Sequence, residues 1–267
     1  QTSVSGISPG TERLVLSGQA PDHLQADAAL DALDGGLSFP LTYGYCAVGR
    51  VKAVGDAVDA AWHGRRVFAF QPHASSFVAT PDALIPLPDD VPDDDAVFLP
   101  NLETAVTLVM DARPLLGETM VVIGQGVVGL LVTALLAEFP LQALYTTDPN
   151  PVRRGWSEEV GATASFDPTS ERDALFDALG ITQGDAPEAA ERYEGADGVL
   201  ELTGVPEALN DAVACAGFGS RIVVGSWYGQ KQAPIDLGSR FHRARMEIVS
   251  SQVSTIAPHL RGRWSTD

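Results

Sequence analysis

The sequence predicts an α/β protein in two parts: a smaller, mostly β region followed by a doubly wound parallel sheet. Length points this way first, because 267 residues exceed what one hydrophobic core usually serves. From residue 98 onward, short apolar runs alternate with helical stretches, the pattern of parallel strands joined by crossover helices. Over residues 1–97, glycine, proline and short β-type runs prevail instead.

The chain opens in what reads as a strand. Further β-type runs lie at 47–54, 66–70 and 76–79, separated by turn signals at Gly55, His63-Gly64 and Pro81-Asp82. An Ala/Asp-rich insert at 25–33 reads as a surface excursion or a short helix. Residues 94–112 carry a helical pattern in Ala96, Val97, Leu99, Ala105, Val106, Leu108 and Val109. Residues 120–123 form a continuous apolar run, as expected of a strand buried on both faces. Strands at 143–147, 164–166, 198–202, 221–225 and 246–250, with helices at 127–139, 152–160 and 206–216, continue the alternation. A helical turn at 241–245 precedes the last strand, and 182–195 reads as an exposed loop.

Charge excludes some functions. There are 17 Lys and Arg against 35 Asp and Glu, a net charge of −18. Nucleic-acid binding needs a clustered positive surface, which this chain lacks. No apolar run reaches 18 residues, so no membrane span is expected. Lysine is reduced to Lys52 and Lys231. That balance reads as a solvated acidic surface, and more sharply as a halophilic one, adapted to a salty interior where screening removes self-repulsion. The sharper reading requires stability to fall at low salt. Cys46 and Cys215 stand 169 residues apart and form neither a disulfide framework nor a four-thiolate zinc site. A reducing, cytoplasmic location is expected. The chain starts at Gln1 without Met and stops at Asp267, so missing segments at both ends are expected.

The strongest local motif is Gly124-Gln125-Gly126-Val127-Val128-Gly129, placed between an apolar strand and an apolar helix. Gly124 permits a tight turn, Gly126 lets backbone approach a diphosphate, and Gly129 lets helix and strand pack closely. The helix N-terminus then offers free N–H groups and partial positive charge to phosphates. Asp148 ends the next strand, 24 residues after Gly124. A carboxylate there accepts from adenosine ribose hydroxyls and repels a 2′-phosphate, which favours NAD over NADP. The same aspartate is also good turn chemistry. Arg153 and Arg154 follow and argue for the phosphorylated coenzyme. Glu201-Leu202-Thr203-Gly204 and Gly225-Ser226-Trp227-Tyr228 sit at later strand ends, where open sheets bind ligands. They are candidates for the nicotinamide end, Thr203, Gly204, Gly225 and Ser226 foremost; Trp227 and Tyr228 read equally as ordinary strand-to-loop turning.

Three segments carry a resemblance: Gly6-Ile7-Ser8-Pro9-Gly10-Thr11-Glu12, the stretch from Pro40 through Tyr45-Cys46 to Val51, and the glycine turn. In this order they resemble the medium-chain dehydrogenase/reductase superfamily, the relatives of zinc-type alcohol dehydrogenases, and within it the bacteriochlorophyllide-dehydrogenase branch. The resemblance implies a GroES-like catalytic domain at 1–97, a Rossmann domain at 98–255, and the start of a return to the first domain at 256–267. It implies a nicotinamide cofactor, a small-molecule substrate (a carbonyl, alcohol or activated alkene) and a homodimer through the Rossmann sheet edge. Zinc members carry a Cys where Ser8 or Pro9 falls, a His-Glu pair where Tyr45-Cys46 falls, and a Cys or Asp near Pro100. Those types are replaced here, so no zinc is expected. A hydrogen-bond donor must then polarise the substrate oxygen. Tyr45 is the candidate, assisted by Ser8 and Thr11, with Glu12 or Glu103 orienting a donor; each is equally readable as a structural residue. His73 reads as a structural histidine or a proton shuttle. The alternative function is a dinucleotide-binding sensor or scaffold without turnover.

Overall fold

The computed structural model describes residues 1–21, 33, 35–182, 193–253 and 255–264. They belong to two compact units, 1–100 and 101–267. Most of the insert expected at 25–33 and of the loop expected at 182–195 lies outside the described residues. Among the described residues no helix is long and apolar enough to cross a membrane.

In the first unit, strands β1 (Thr2–Ser5), β2 (Ala47–Arg50), β3 (Arg66–Ala69) and β4 (Ile85–Pro86) form an antiparallel sheet in the order β1-β2-β3-β4. Val48 and Phe68 pair across β2 and β3 and pack with Cys46, Ala96 and Val97 into its core. Full burial of side chains of this size stabilises by about 1.5–3 kcal/mol each. Helix α1 (Thr11–Leu16) escapes the sequence pattern, because its six residues bury only Leu14 and Val15. The strand expected at 76–79 does not form. Val78 is 98% exposed, and Phe77 and Ala79 are only partly buried. Neighbouring residues make single backbone bonds instead of a ladder, Thr2 N–H to the Ser75 carbonyl and His73 N–H to the Tyr43 carbonyl.

The single helix expected over 94–112 is two, α2 (Asp93–Ala96) and α3 (Leu99–Ala112). Pro100 accounts for the break. Proline has no N–H and its ring clashes with the carbonyl four residues back, so it is tolerated only in a first turn.

In the second unit the strands are β5 (Thr119–Ile123), β6 (Ala143–Thr147), β7 (Ala164–Phe166), β8 (Ala196–Glu201), β9 (Ala216–Val224) and β10 (Glu247–Ser250). Helices α4 (Val127–Ala137), α5 (Pro151–Glu159), α6 (Arg172–Ala178), α7 (Ala208–Cys215) and α8 (Arg240–Arg243) connect them. All neighbours pair in parallel, in the order β10-β9-β8-β5-β6-β7. The chain order therefore reverses between β5 and β8, the switch point of a doubly wound sheet. Strand β5 shows why the sheet is buried on both sides. Met120 and Val122 pack with Leu108, Val132 and Leu136 on one face, while Val121 and Ile123 pack with Leu175, Ala212 and Ile222 on the other. Helix α5 starts where it does because Pro151 takes its first position and the Asn150 side chain accepts from Val152 N–H at 2.9 Å.

Candidate functional site

Strand β5 ends at Ile123 and α4 begins at Val127, leaving Gly124, Gln125 and Gly126 as the turn at the switch point. Gly124 has φ of 95°, a region that L side chains avoid. Gly129 sits so close beneath it that a Cβ would lie 1.9 Å from the Gly124 carbonyl oxygen. Gly126 is the N-cap of α4, with no side chain capping the helix. A Cβ built on it meets nothing within 4 Å, so the turn opens into free space there. The N–H groups of Val127, Val128 and Gly129 belong to a first helical turn and have no acceptor within the helix. They lie at the positive end of α4, a ready anion site. The cradle fits a dinucleotide diphosphate.

Other groups lock this turn. The Gln125 side chain is fully buried; its Nε2 donates to the Val122 and Gly124 carbonyls, and its Oε1 accepts from Thr133 Oγ1 at 3.0 Å. Its backbone N–H donates to Asp148 Oδ2 at 2.9 Å, and Asp148 Oδ1 accepts from Asn150 N–H at 2.8 Å. Gln125 is thus a strut of the turn, and Asp148 is a buried clamp on it. Arg153 stands over that carboxylate, 3.6 Å from Oδ2 and half-exposed. Arg154 turns away to the Asp148 carbonyl and to Asp167.

At the ends of β8 and β9 the structure brings together Thr203, Gly204, Gly225 and Ser226 around Glu201, a member of the same strand-end stretch. Glu201 is fully buried. Its Oε1 accepts from Thr203 N–H at 2.8 Å and from the Thr203 hydroxyl, and its Oε2 accepts from the Tyr228 hydroxyl. Burial first, and then this contact with Glu201, push the Tyr228 phenol far up. Gly204 N–H donates to Ser226 Oγ at 2.8 Å, and Lys231 Nζ donates to the Gly204 carbonyl at 2.8 Å. Gly225 leaves no room for a Cβ, which would lie 2.6 Å from Leu108 and Leu202 methyls.

A second polar cluster lies in the first unit, and it unites Tyr45, Ser8 and Thr11. The Tyr45 hydroxyl bonds to the side chains of Ser8 and Thr11, and burial raises its pKa. Glu12 Oε1 accepts from Ser8 N–H at 2.7 Å, while its Oε2 lies 2.8 Å from His73 Nε2. His73 Nδ1 lies 2.5 Å from Ser5 Oγ. Burial, followed by the charge of Glu12, pushes the Cys46 thiol up to about 12. Zinc requires thiolate, imidazole or carboxylate ligands. Ser8 and Tyr45 are of none of these types, Cys46 alone supplies one ligand at most, and among the described residues no three His, Cys, Asp or Glu side chains converge. Glu103 lies apart from this cluster in sequence, on α3.

No family model matches the chain. It is 26% identical to L-threonine 3-dehydrogenase of Xanthomonas campestris over 216 residues, 69% of this chain and 59% of that protein. Overall the chain spans about half the length of the curated relatives it matches, with coverage of 37% and 59% in two of them. In fold it is similar to a zinc-dependent alcohol dehydrogenase of Streptococcus pneumonia (TM-score 0.69, 18% identity, 93% of this chain and 73% of that one). It is similar also to a quinone oxidoreductase of Thermus thermophilus, known in complex with NADPH (TM-score 0.66, 20% identity, 98% and 73%).

Proposed function

We propose that this chain, a member of the medium-chain dehydrogenase/reductase superfamily, is an NAD(P)-dependent oxidoreductase that acts on a carbonyl, alcohol or activated alkene without catalytic zinc. The observation that carries this reading is the uncapped start of α4, open at Gly126 and locked by Gly129, Gln125 and Asp148. When bound there, the nicotinamide coenzyme supplies or accepts the hydride. The α4 amides hold the diphosphate. A carboxylate has about four lone-pair sites, and backbone N–H groups of Gln125 and Asn150 occupy two on Asp148. The remainder serve a ribose hydroxyl, and the negative charge disfavours a 2′-phosphate, so NAD is the preferred coenzyme. Arg153 is the counter-signal for NADP. Thr203, Gly204, Gly225 and Ser226 support the nicotinamide end.

Tyr45 is the proposed donor to the substrate oxygen. Its raised pKa keeps the phenol protonated at neutral pH, and Ser8 and Thr11 fix the direction of its hydroxyl. Tyr45→Phe is expected to lower kcat about 100-fold with coenzyme affinity unchanged, measured as NADH or NADPH oxidation with a panel of quinones, enones and aldehydes. Full turnover by the variant removes Tyr45 from the chemistry. A second reading, a dinucleotide sensor without turnover, draws on the Tyr45 hydroxyl being already engaged by Ser8 and Thr11. Coenzyme binding without oxidation across the whole panel would favour it.

The same reading places the protein in a reducing cytoplasm, supported by two free buried cysteines. A charge of −18 supports adaptation to concentrated salt. The outer edge of β10, where Glu247 and Ile248 are exposed, supports pairing with a second copy.

A further inference from the structure

We infer that Lys231 seats an oxyanion of the substrate, so that the carbonyl compound or alcohol this chain acts on carries a carboxylate or a phosphate. This rests on the oxidoreductase reading and names the class of its substrate.

The segment after β9 is bolted onto the turn after β8. The Tyr228 hydroxyl donates to Glu201 Oε2. Gly229 follows with φ of 61°, and Lys231 N–H donates to the Tyr228 carbonyl at 3.1 Å, so residues 228–231 close a tight turn. That turn carries the Lys231 side chain back across the strand ends, where Nζ donates to the Gly204 carbonyl at 2.8 Å. The N–H of Gly204 donates to Ser226 Oγ, also at 2.8 Å. One short segment thus holds Gly204 at both its N–H and its carbonyl. Lysine is among the side chains that lose most rotamer freedom when fixed. Here one is fixed at a carboxyl end of the parallel sheet, where open sheets bind ligands.

The ammonium has capacity left over. It carries three N–H donors and no acceptor, and Gly204 takes one. Both Glu201 oxygens are already engaged, by Thr203 and Tyr228. Among the described residues no carboxylate pairs with Lys231. A Cβ built on Gly204 meets nothing within 4 Å, so the space beside this anchor is open.

The charge balance decides what those donors are suited to. The chain carries −18, and Lys231 is one of its two lysines. That excess disfavours an anionic substrate at a distance. Salt screens it beyond about 8 Å at physiological ionic strength, so a cation in direct contact outweighs it. Hydrogen bonds from an ammonium to an ionised oxygen are roughly twice as strong as neutral ones. A carboxylate and a phosphate each present several such oxygens, whereas a neutral substrate presents none.

The test measures kcat/KM on the whole chain for matched pairs, pyruvate against methyl pyruvate and dihydroxyacetone phosphate against dihydroxyacetone. Wild type, Lys231→Gln and Lys231→Arg are compared, and calorimetry gives coenzyme affinity on the same samples. The wild type is expected to prefer the anionic member of one pair by about 10- to 100-fold, and the pair that shows it identifies carboxylate or phosphate. Lys231→Gln, whose amide can still donate to the Gly204 carbonyl, brings that ratio close to one. Lys231→Arg keeps most of it, and coenzyme affinity is the same in all three. A wild type without the preference, a preference that survives Lys231→Gln, or coenzyme affinity that falls with it overturns the assignment. If neither pair is turned over, the oxidoreductase reading fails separately, and the seat is tested by titrating oxamate and inorganic phosphate onto the NADH complex. Saturable binding of either anion that Lys231→Gln abolishes supports the seat; its absence overturns it.

Discussion

Gly129→Ala is expected to weaken coenzyme binding at least about 100-fold, or about 2.7 kcal/mol, and to cost about 3 kcal/mol of stability. The added Cβ would lie 1.9 Å from the Gly124 carbonyl oxygen, a backbone atom with no freedom to rotate away. Helix α4 must therefore lift from β5, and Val132 and Leu136, both fully buried, lose packing with it. The same displacement moves the amides that would hold the diphosphate. Gly126→Ala separates the two effects. Its Cβ meets nothing within 4 Å, so this variant is expected to keep wild-type stability while its methyl intrudes where the diphosphate would lie. Denaturant unfolding and coenzyme titration on the same samples check both. A Gly129→Ala protein with native stability and native affinity would contradict the geometry assigned to the turn.

Glu201→Ala is the second large effect, expected to cost about 3–5 kcal/mol. The carboxylate is fully buried. Removing it strands the Thr203 N–H, the Thr203 hydroxyl and the Tyr228 hydroxyl and leaves a cavity as well. Glu201→Gln is expected to cost about 1 kcal/mol, since Oε1 keeps both Thr203 bonds and the Tyr228 hydroxyl can rotate to accept from the new amide. Alkaline pH gives an independent view. The Tyr228 phenol is raised in the folded chain, whereas the unfolded phenol ionises near about pH 10. Above that pH the unfolded state sheds this proton first, so the stability Tyr228 contributes is complete below about pH 10 and declines as pH rises further. Tyr228→Phe is expected to flatten that decline. Equal denaturation midpoints for Glu201→Ala and the wild type would remove Glu201 from the support of this loop.

The parallel sheet was legible because its signal is local. Residues 120–123 need no partner to be recognised as a strand buried on both faces, and the glycine turn sits beside them in sequence. Local signals failed where the reason for an element is tertiary. Helix α6 buries only Leu175, too little to show a period. Strand β9 begins at Ala216, directly after α7. Its opening residues include Gly217 and Gly219, which read as a break, so the sequence pattern begins the strand only at 221. The Ser5–His73–Glu12 chain was hidden for another reason. Its members stand 68 and 61 residues apart in sequence, and the antiparallel register of β1 with β2, together with the missing side chain at Gly44, brings them into contact. Gln125 shows the opposite limit: its place in the motif was plain, but the inward turn of its side chain depends on Thr133, one helix further on.

The most direct measurement is a titration of the protein with NADH and NADPH, followed by calorimetry and nicotinamide fluorescence. Saturable binding of one coenzyme per chain, tighter for NADH and weakened by Gly126→Ala, is the predicted result. No saturable binding of either coenzyme, or binding that Gly126→Ala leaves untouched, would contradict the account.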